Sequence, residues 1–324
     1  MPAGTLTLAL AGDTMLGRGV AERLAHVPPP QLFADEVVAV AHEADLFLLN
    51  LECAISERGE RWPDQRKPFF FRAPLIAIEA LTRLGVDCAT LANNHALDFG
   101  ATALLDTIDH LSDAGIACVG AGATEAAAHA PAILEKGGIR VGLIGVTDHP
   151  SEYAAGDENP GVAYVDLRRS VPSWLKETVH DLRTDVVVVS PHWGPNMVAE
   201  PEPHVRRAAA ELRGSGATLI AGHSAHIFHG VTDGVLYDLG DFIDDYATNR
   251  HLRNDLGLLF LVTFRDCRPI RVEAVPLALD YCFTRLANRD ETAWITARFR
   301  RACADLGTSV DTRGGRLVID WPDR

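Results

Sequence analysis

"LANNHALDFG", Leu91–Gly100, is the stretch whose reading decides the fold. An apolar run, "VDCATLA", leads straight into Asn93, Asn94 and His95, with Asp98 and Gly100 close behind. Asn-Asn-His neither continues a buried strand nor starts the core face of a helix, because unpaired polar groups are costly there. The same ending recurs along the chain. "TLTLALAG" runs into Asp13, and "ADLFLLNLE" closes on Asn50 and Glu52. "TDVVVVSPHWG" carries His192, and "ATLIAGHSAH" carries His223 and His226. In layered α/β sheets, ligand sites lie outside the carboxyl ends of strands. These strand ends therefore bring carboxylates, a carboxamide and imidazoles to one edge.

The rest of the pattern fits such a sheet. The apolar runs above, with "GIACVG" and "RVGLIGVTD", read as buried strands. "PLIAIEALTRLG", "ATALLDTIDHLSDAG" and "PHVRRAAAELRGSG" have helical spacing and end on glycine. "ILEKGGIRVGLIG" predicts a hairpin turning on Gly137-Gly138. "VLYDLGDF", "LGLLFLVTF" and "PIRVEAVPLAL" read as later antiparallel strands, "ETAWITARFRRACADLG" as a late helix, and "RLVID" as a last strand. The charged segment Ser56–Phe70, which holds Trp62, is the longest expected loop, a lid or a surface excursion. Strand–helix alternation followed by antiparallel strands implies an α/β fold: a layered sheet, or two packed sheets flanked by helices. We expect a single domain over residues 1–324, with a C-terminal extension from about residue 266.

Composition narrows the function. The 324 residues are 47% apolar, enough to bury a core. A formal charge of −14 without any Lys/Arg run argues against nucleic-acid binding and suits a site that collects cations. The start has no signal pattern and no stretch reaches membrane-spanning length, so no membrane partner and a cytoplasmic location are expected. The six cysteines are scattered without a C-x-x-C pair and read as free, buried thiols.

Oxygen and imidazole ligands without thiolate suit divalent Mn, Fe, Zn or similar ions, one or two in number. Taken singly, each residue has a plainer reading: Asp13 as a turn or helix cap, Glu52 as a surface acid, His192 as a satisfied core histidine. Their coincidence at strand ends does not. His26, His42, His110, His129, His180, His204 and His251 fall on helical or loop segments and are expected to be solvated; His149 and His229 stay open.

"GDTMLGR", "NLECAIS", "LANNHALDFG", "VVVVSPHWG", "GHSAH" and "LYDLGDF", in this order and spacing, resemble the CapA-type poly-γ-glutamate synthesis proteins, a branch of the calcineurin-like metallophosphatase superfamily. The resemblance covers roughly Thr5 to Phe264. It implies a four-layer α-β-β-α sandwich with a metal site at one edge. It implies metal ligands at Asp13, Glu52, Asn94, His192, His223 and His226, and a catalytic histidine at His95. The chain also departs from the phosphatase pattern. Asp-x-His becomes Asp13-Thr14-Met15, so one imidazole is missing; Asn50-Leu51-Glu52 stands for Gly-Asp; Gly-His-x-His is stretched to His223–His226. The usual Gly-Asn-Phe is Gly240-Asp241-Phe242, followed by Asp244 and Asp245.

A cluster with one firm and one weak ion suits acid/base chemistry on a peptide or other anionic small substrate. The expectation ranked first is epimerisation at the Cα of a peptide's C-terminal residue, with His95 and Asp13 as bases, as some proteins resembling CapA perform. The second is metal-dependent hydrolysis of a phosphoester or γ-glutamyl amide. The third is a non-enzymatic accessory role in poly-γ-glutamate synthesis.

Overall fold

A computed structural model of the protein describes residues 4–26, 31–63 and 67–321. Residues 1–3 of the start and residues 64–66 of the long loop lie outside them. Two β-sheets pack face to face. The larger runs, in spatial order, through Asp311–Arg313, Arg316–Asp320, Arg268–Asp280, Leu256–Arg265, Thr5–Thr14, Leu46–Leu51, Cys88–Thr90 and Ala117–Val119. The smaller runs through Val231–Thr232, Val235–Leu236, Leu219–Ala221, Val186–His192, Ile139–Thr147 and Ala132–Lys136.

Side-chain parity builds the layers. A strand sends alternate residues to opposite faces. Leu6, Leu8 and Leu10 enter the core shared with Val141, Leu143, Val186 and Val188 of the other sheet. Ala9 and Ala11 instead pack under helices, with Leu81 and Leu84 of Ala77–Leu84 and Leu104 of Gly100–Asp113. On the far side, Ile144, Val146, Val187 and Val189 meet Leu175 and Val179 of Ser173–Asp181 and Val205 and Leu212 of Pro203–Gly214. The result is the expected four-layer α-β-β-α sandwich. Both sheets are buried on both faces, which is why their strands read as unbroken apolar runs.

The local signals hold where they are strong. Lys136 pairs with Ile139 across Gly137 and Gly138, both at positive φ (59° and 79°), as a two-residue hairpin turn requires. Ala77–Leu84 stops on left-handed Gly85. The late helix, Arg289–Ala304, begins with a capping box between Asn288 and Glu291.

One sequence expectation is corrected. "VLYDLGDF" does not supply antiparallel strands of the closing kind. Val235–Leu236 pairs antiparallel with Val231–Thr232 but runs parallel to Leu219–Ala221, and Asp241–Ile243 runs parallel to the end of Thr5–Thr14. Two short parallel additions leave no periodicity long enough to read, and their direction is set by the sheets they join. The later strands are antiparallel as expected, and Arg268–Asp280 pairs along its length with Leu256–Arg265 and also with Arg316–Asp320. Residues beyond 266 thus continue the larger sheet.

The described part of the Ser56–Phe70 loop is anchored to the body. Ser56 Oγ donates to Asp106 Oδ2 (2.6 Å), Arg58 pairs with Asp106, and Trp62 packs edge-on to Tyr153 at 4.8 Å. All six cysteines are free thiols. Among the described residues no helix is long and apolar enough to cross a membrane.

His229 gives the fold a pH dependence. Its Nε2 donates to the Val198 carbonyl (2.9 Å) while burial, with Arg298 and Arg206 nearby, pushes its pKa from 6.5 down to about 4. Between those values the unfolded chain binds a proton that the folded chain refuses, so stability falls as the pH drops from 6.5 to 4. The full loss is on the order of 3 kcal/mol. Denaturant titrations across this range should show a shallower pH slope for His229→Gln than for the wild type. Equal slopes would remove His229 as the cause.

Candidate metal centre

The centre forms where strand ends from both sheets meet. Asp13 closes the first strand and lies beside Asp241 in parallel register. That approach needs Gly12: a Cβ there would sit 1.7 Å from the Gly240 carbonyl oxygen. From the other sheet, His192 and His223 are bridged parallel partners. Gly222 is equally constrained, since a Cβ would lie 2.1 Å from the Tyr237 oxygen. After it, Ser224 and His226 both adopt positive φ (109° and 58°), which folds the stretched His-Ser-Ala-His segment back toward Asp13. Non-glycine residues at such angles cost roughly 1–3 kcal/mol each and collect at functional sites.

Two ligand triads share Asp13. Asp13, Glu52 and His192 offer atoms within 4.8 Å of one another, and so do Asp13, His226 and Asp241. His223 Nδ1 lies 3.3 Å from Asp13 Oδ1, and His226 Nδ1 lies 3.3 Å from Asp13 Oδ2 and 2.8 Å from Asp241 Oδ1. His192 Nε2 is 2.5 Å from Glu52 Oε1. Every one of these residues is buried. Whether they fit divalent ions is decided by their unsatisfied atoms. Glu52 Oε2, Asn94 Oδ1, His192 Nδ1 and Asp241 Oδ2 are all buried without a hydrogen-bond partner among the described residues. Buried polar atoms are normally satisfied, and so many orphans at one place match the lone pairs that cations would take. The residues fit.

Electrostatics agree. Burial pushes the Asp13 carboxyl up, but hydrogen bonds and charge from His223 and His226 overcome this and hold it well below the usual range. Burial and the Asp13 charge raise Glu52, and His192 outweighs them, leaving it lowered. Burial lowers His226, yet Asp241 and Asp13 carry it well above an ordinary histidine. Burial and neighbouring acids drive Asp238 and Asp241 well above the carboxylate range and Asp244 up to about 6. The centre therefore holds more acid than it can keep ionised unaided, which is the condition a bound cation relieves.

His95 stands apart from the triads. Its Nδ1 hydrogen-bonds Asp98 Oδ2 (2.7 Å) and its ring packs edge-on against Phe71. Asp98 is itself held by the Phe71 amide (2.6 Å) and by Lys67 Nζ (2.6 Å). Nε2 is left as the ring nitrogen available to a cleft of about 390 Å³ lined by His95, Asn94, Lys67, Asn196, His226 and Tyr246. Lys67 also donates to the Asn94 carbonyl and to the Tyr153 hydroxyl.

The pattern of the bacterial capsule synthesis protein family PGA_cap matches residues 7–246. The chain belongs to this family. It is 31% identical, over 97% of its length and 95% of the relative's, to a "probable polyglutamine synthesis accessory protein" of Mycobacterium tuberculosis. It is 28% identical, over 84% of its length and 67% of the relative's, to the capsule biosynthesis protein CapA of Bacillus anthracis. Among solved structures, a hypothetical protein from Thermus thermophilus aligns with a TM-score of 0.51 at 16% identity, covering 85% of this chain and 100% of that one, a likeness of fold.

Within this capsule synthesis framework the expected site residues are all placed at one edge. Asp13, Glu52, His192, His223 and His226 lie together, and Asn94, whose Oδ1 is without a partner among the described residues, lines the cleft with His95 and His226. Asn93 does not serve as a ligand. Its amide ties Asn50 Oδ1 (3.0 Å) and the Leu51 carbonyl (2.8 Å), and its oxygen accepts from the His95 amide. Asn50 in turn donates to Asp13 Oδ1 (2.8 Å), so Asn50 and Asn93 orient the ligands. Asp241, Asp98 and Lys67 were not among the expected site residues. Asp241 is visible in the sequence as the departure from Gly-Asn-Phe. Met15 is buried in the helix-side core, and Asp241 offers a carboxylate oxygen within 4.8 Å of Asp13 and His226. His149, left open by sequence, pairs with Asp148 (2.5 Å), and its ring lies 5.0 Å from that of His192.

Proposed function

We propose that this protein is a metal-dependent hydrolase of an anionic substrate, a γ-glutamyl amide first and a phosphoester second. The observation that carries the reading is the pair of carboxylate–imidazole triads sharing Asp13. Epimerisation ranks first on the expectation of a weakened second ion, and the second triad of Asp13, His226 and Asp241 speaks for two ions instead. Epimerisation also needs two opposed bases on the substrate. Asp13 is fully buried with both oxygens engaged, so a base opposed to His95 would have to come from the buried acids Glu52, Asp241 or Asp244. The γ-glutamyl ranking rests on the capsule and polyglutamine roles named for the relatives.

Divalent ions held by Asp13, Glu52, Asn94, His192, His223, His226 and Asp241 would polarise the scissile group and acidify the attacking water. Water's oxygen forms the new bond to the carbonyl carbon, or to phosphorus, and the bond to the leaving nitrogen or oxygen breaks. The attacking water's proton passes to His95 Nε2, which gives it to the leaving atom, and Asp98 stabilises the intervening imidazolium and fixes the ring. Lys67 holds Asp98 in place and adds positive charge to the cleft wall.

The test is isotopic. Manganese- or zinc-loaded protein, incubated with γ-linked oligoglutamate in oxygen-18 water, should yield shortened chains carrying one labelled oxygen in the new carboxylate. A phosphodiester serves as the second substrate. If neither is cleaved, while a peptide in deuterium oxide gains deuterium at a Cα without shortening, hydrolysis fails and epimerisation replaces it.

A further inference from the structure

The outer wall of the cleft at the metal centre includes Asn196 and Met197 on one loop and Ala247 and Asn254 on another. A second depression, of about 380 Å³, is lined by the next residues of the same two loops, Ala199 and Glu200 on one and His251 on the other. Its floor is the helix Arg289–Ala304, through Trp294, Arg298 and Arg301. The same two loops thus line both depressions, one at the metal centre and one at this helix.

Arg298 is the anomaly at the far end. Its guanidinium lies over the rings of Phe228 (5.2 Å) and Trp294 (5.6 Å). Nε and Nη2 are buried without a hydrogen-bond partner among the described residues. The residue as a whole is half-buried and lines the depression, and stacking on two rings offsets only part of the hydration its guanidinium has lost. Burial and the adjacent Arg301 both lower its pKa, and no acid opposes them. Glu200 and Asp305 share the depression but are exposed, so solvent screens them, and neither pairs with Arg298.

We propose that Arg298, with Arg301 and His251, forms a distal carboxylate subsite, so that the two depressions act as one groove that takes an anionic chain of several residues with one end at the metal centre. A small anion would fill the inner cleft and leave this guanidinium without a partner. A chain with a carboxylate on every residue supplies one to each end. The inference rests on the hydrolase reading for the chemistry at the inner end, but binding along the groove is measured separately from turnover.

The experiment is calorimetric titration of metal-loaded protein with γ-linked glutamate dimer and octamer, in the His95→Gln background to halt turnover. The octamer should bind at least roughly tenfold more tightly than the dimer, since a charge-assisted contact contributes at least that much. In Arg298→Gln combined with Arg301→Gln the ratio should fall to within about twofold, with dimer affinity and metal content unchanged. Should Arg298→Gln fold poorly, Arg301→Glu at an exposed position keeps the test, and octamer binding alone should weaken several-fold. Equal binding of dimer and octamer by the unaltered groove, an unchanged ratio in the variants, or no octamer binding overturns the proposal. Length-dependent binding without labelled product in the isotope experiment sinks hydrolysis and leaves the groove standing; labelled product without length dependence does the reverse.

Discussion

Asp13→Asn should strip the protein of both metal ions. Elemental analysis after loading and dialysis should find two equivalents in the wild type and close to none in this variant. Asp13 is the vertex of both triads, so no ion keeps a full ligand set without its charge. Even partners outside the ligand shell cost 10–100-fold in affinity when removed, so about 100-fold is a lower bound here. The substitution also puts an NH2 group against the Ser224 amide or the Asn50 amide, which donate to the two Asp13 oxygens at 3.3 and 2.8 Å. It leaves His226, whose pKa Asp13 helps to raise, short of a counter-charge. Breaking such a buried pair costs about 3–5 kcal/mol, so the metal-free variant should also melt lower than the metal-free wild type. Asp241→Asn is the control. Asp241 belongs to one triad, so that variant should keep one equivalent. Retention of a full equivalent by Asp13→Asn would show that Asp13 is not shared.

The second large effect is catalytic. His95→Gln should lower turnover of whichever γ-glutamyl or phosphoester substrate is cleaved by roughly 10²–10⁴-fold while metal content stays at the wild-type level. The separation follows from geometry: His95 is bound to Asp98 and is not part of either triad. Glutamine keeps a donor to the Asp98 carboxylate but cannot carry a proton to a leaving group. Asp98→Asn should give a smaller fall in turnover, though it also disturbs the Phe71 amide and Lys67. Metal loss from His95→Gln equal to that from His223→Ala would identify His95 as a ligand and would remove the proton-transfer step.

How much of this was legible beforehand depends on the range of the interaction. Apolar runs such as Leu46–Leu51 and Val186–His192 announce doubly covered strands by themselves, because burial on both faces demands an apolar residue at every position. Strand endings place polar ligands at one edge, because the layered fold leaves that edge for them. Asp13, Glu52, His192, His223 and His226 were therefore readable as candidates, and so was the hairpin at Gly137-Gly138.

Tertiary structure alone decided three matters. The first is the division of labour between Asn93 and Asn94. Two identical side chains differ only in which way the loop turns them, and Asn93 is consumed by Asn50 and Leu51 while the Asn94 oxygen is left unpartnered. The second is the placement of Asp241. Asp13 and Asp241 are far apart in sequence, and only their parallel pairing sets that carboxylate in the triad. The third is the setting of Arg298. Arg298 reads in sequence as one of several arginines on a late helix; it becomes conspicuous only where Phe228 and Trp294 cover its guanidinium and no acid answers it. Period and composition report what a segment buries. Which atoms are left without a partner is a property of the assembled chain, because every satisfied neighbour comes from another strand, helix or loop.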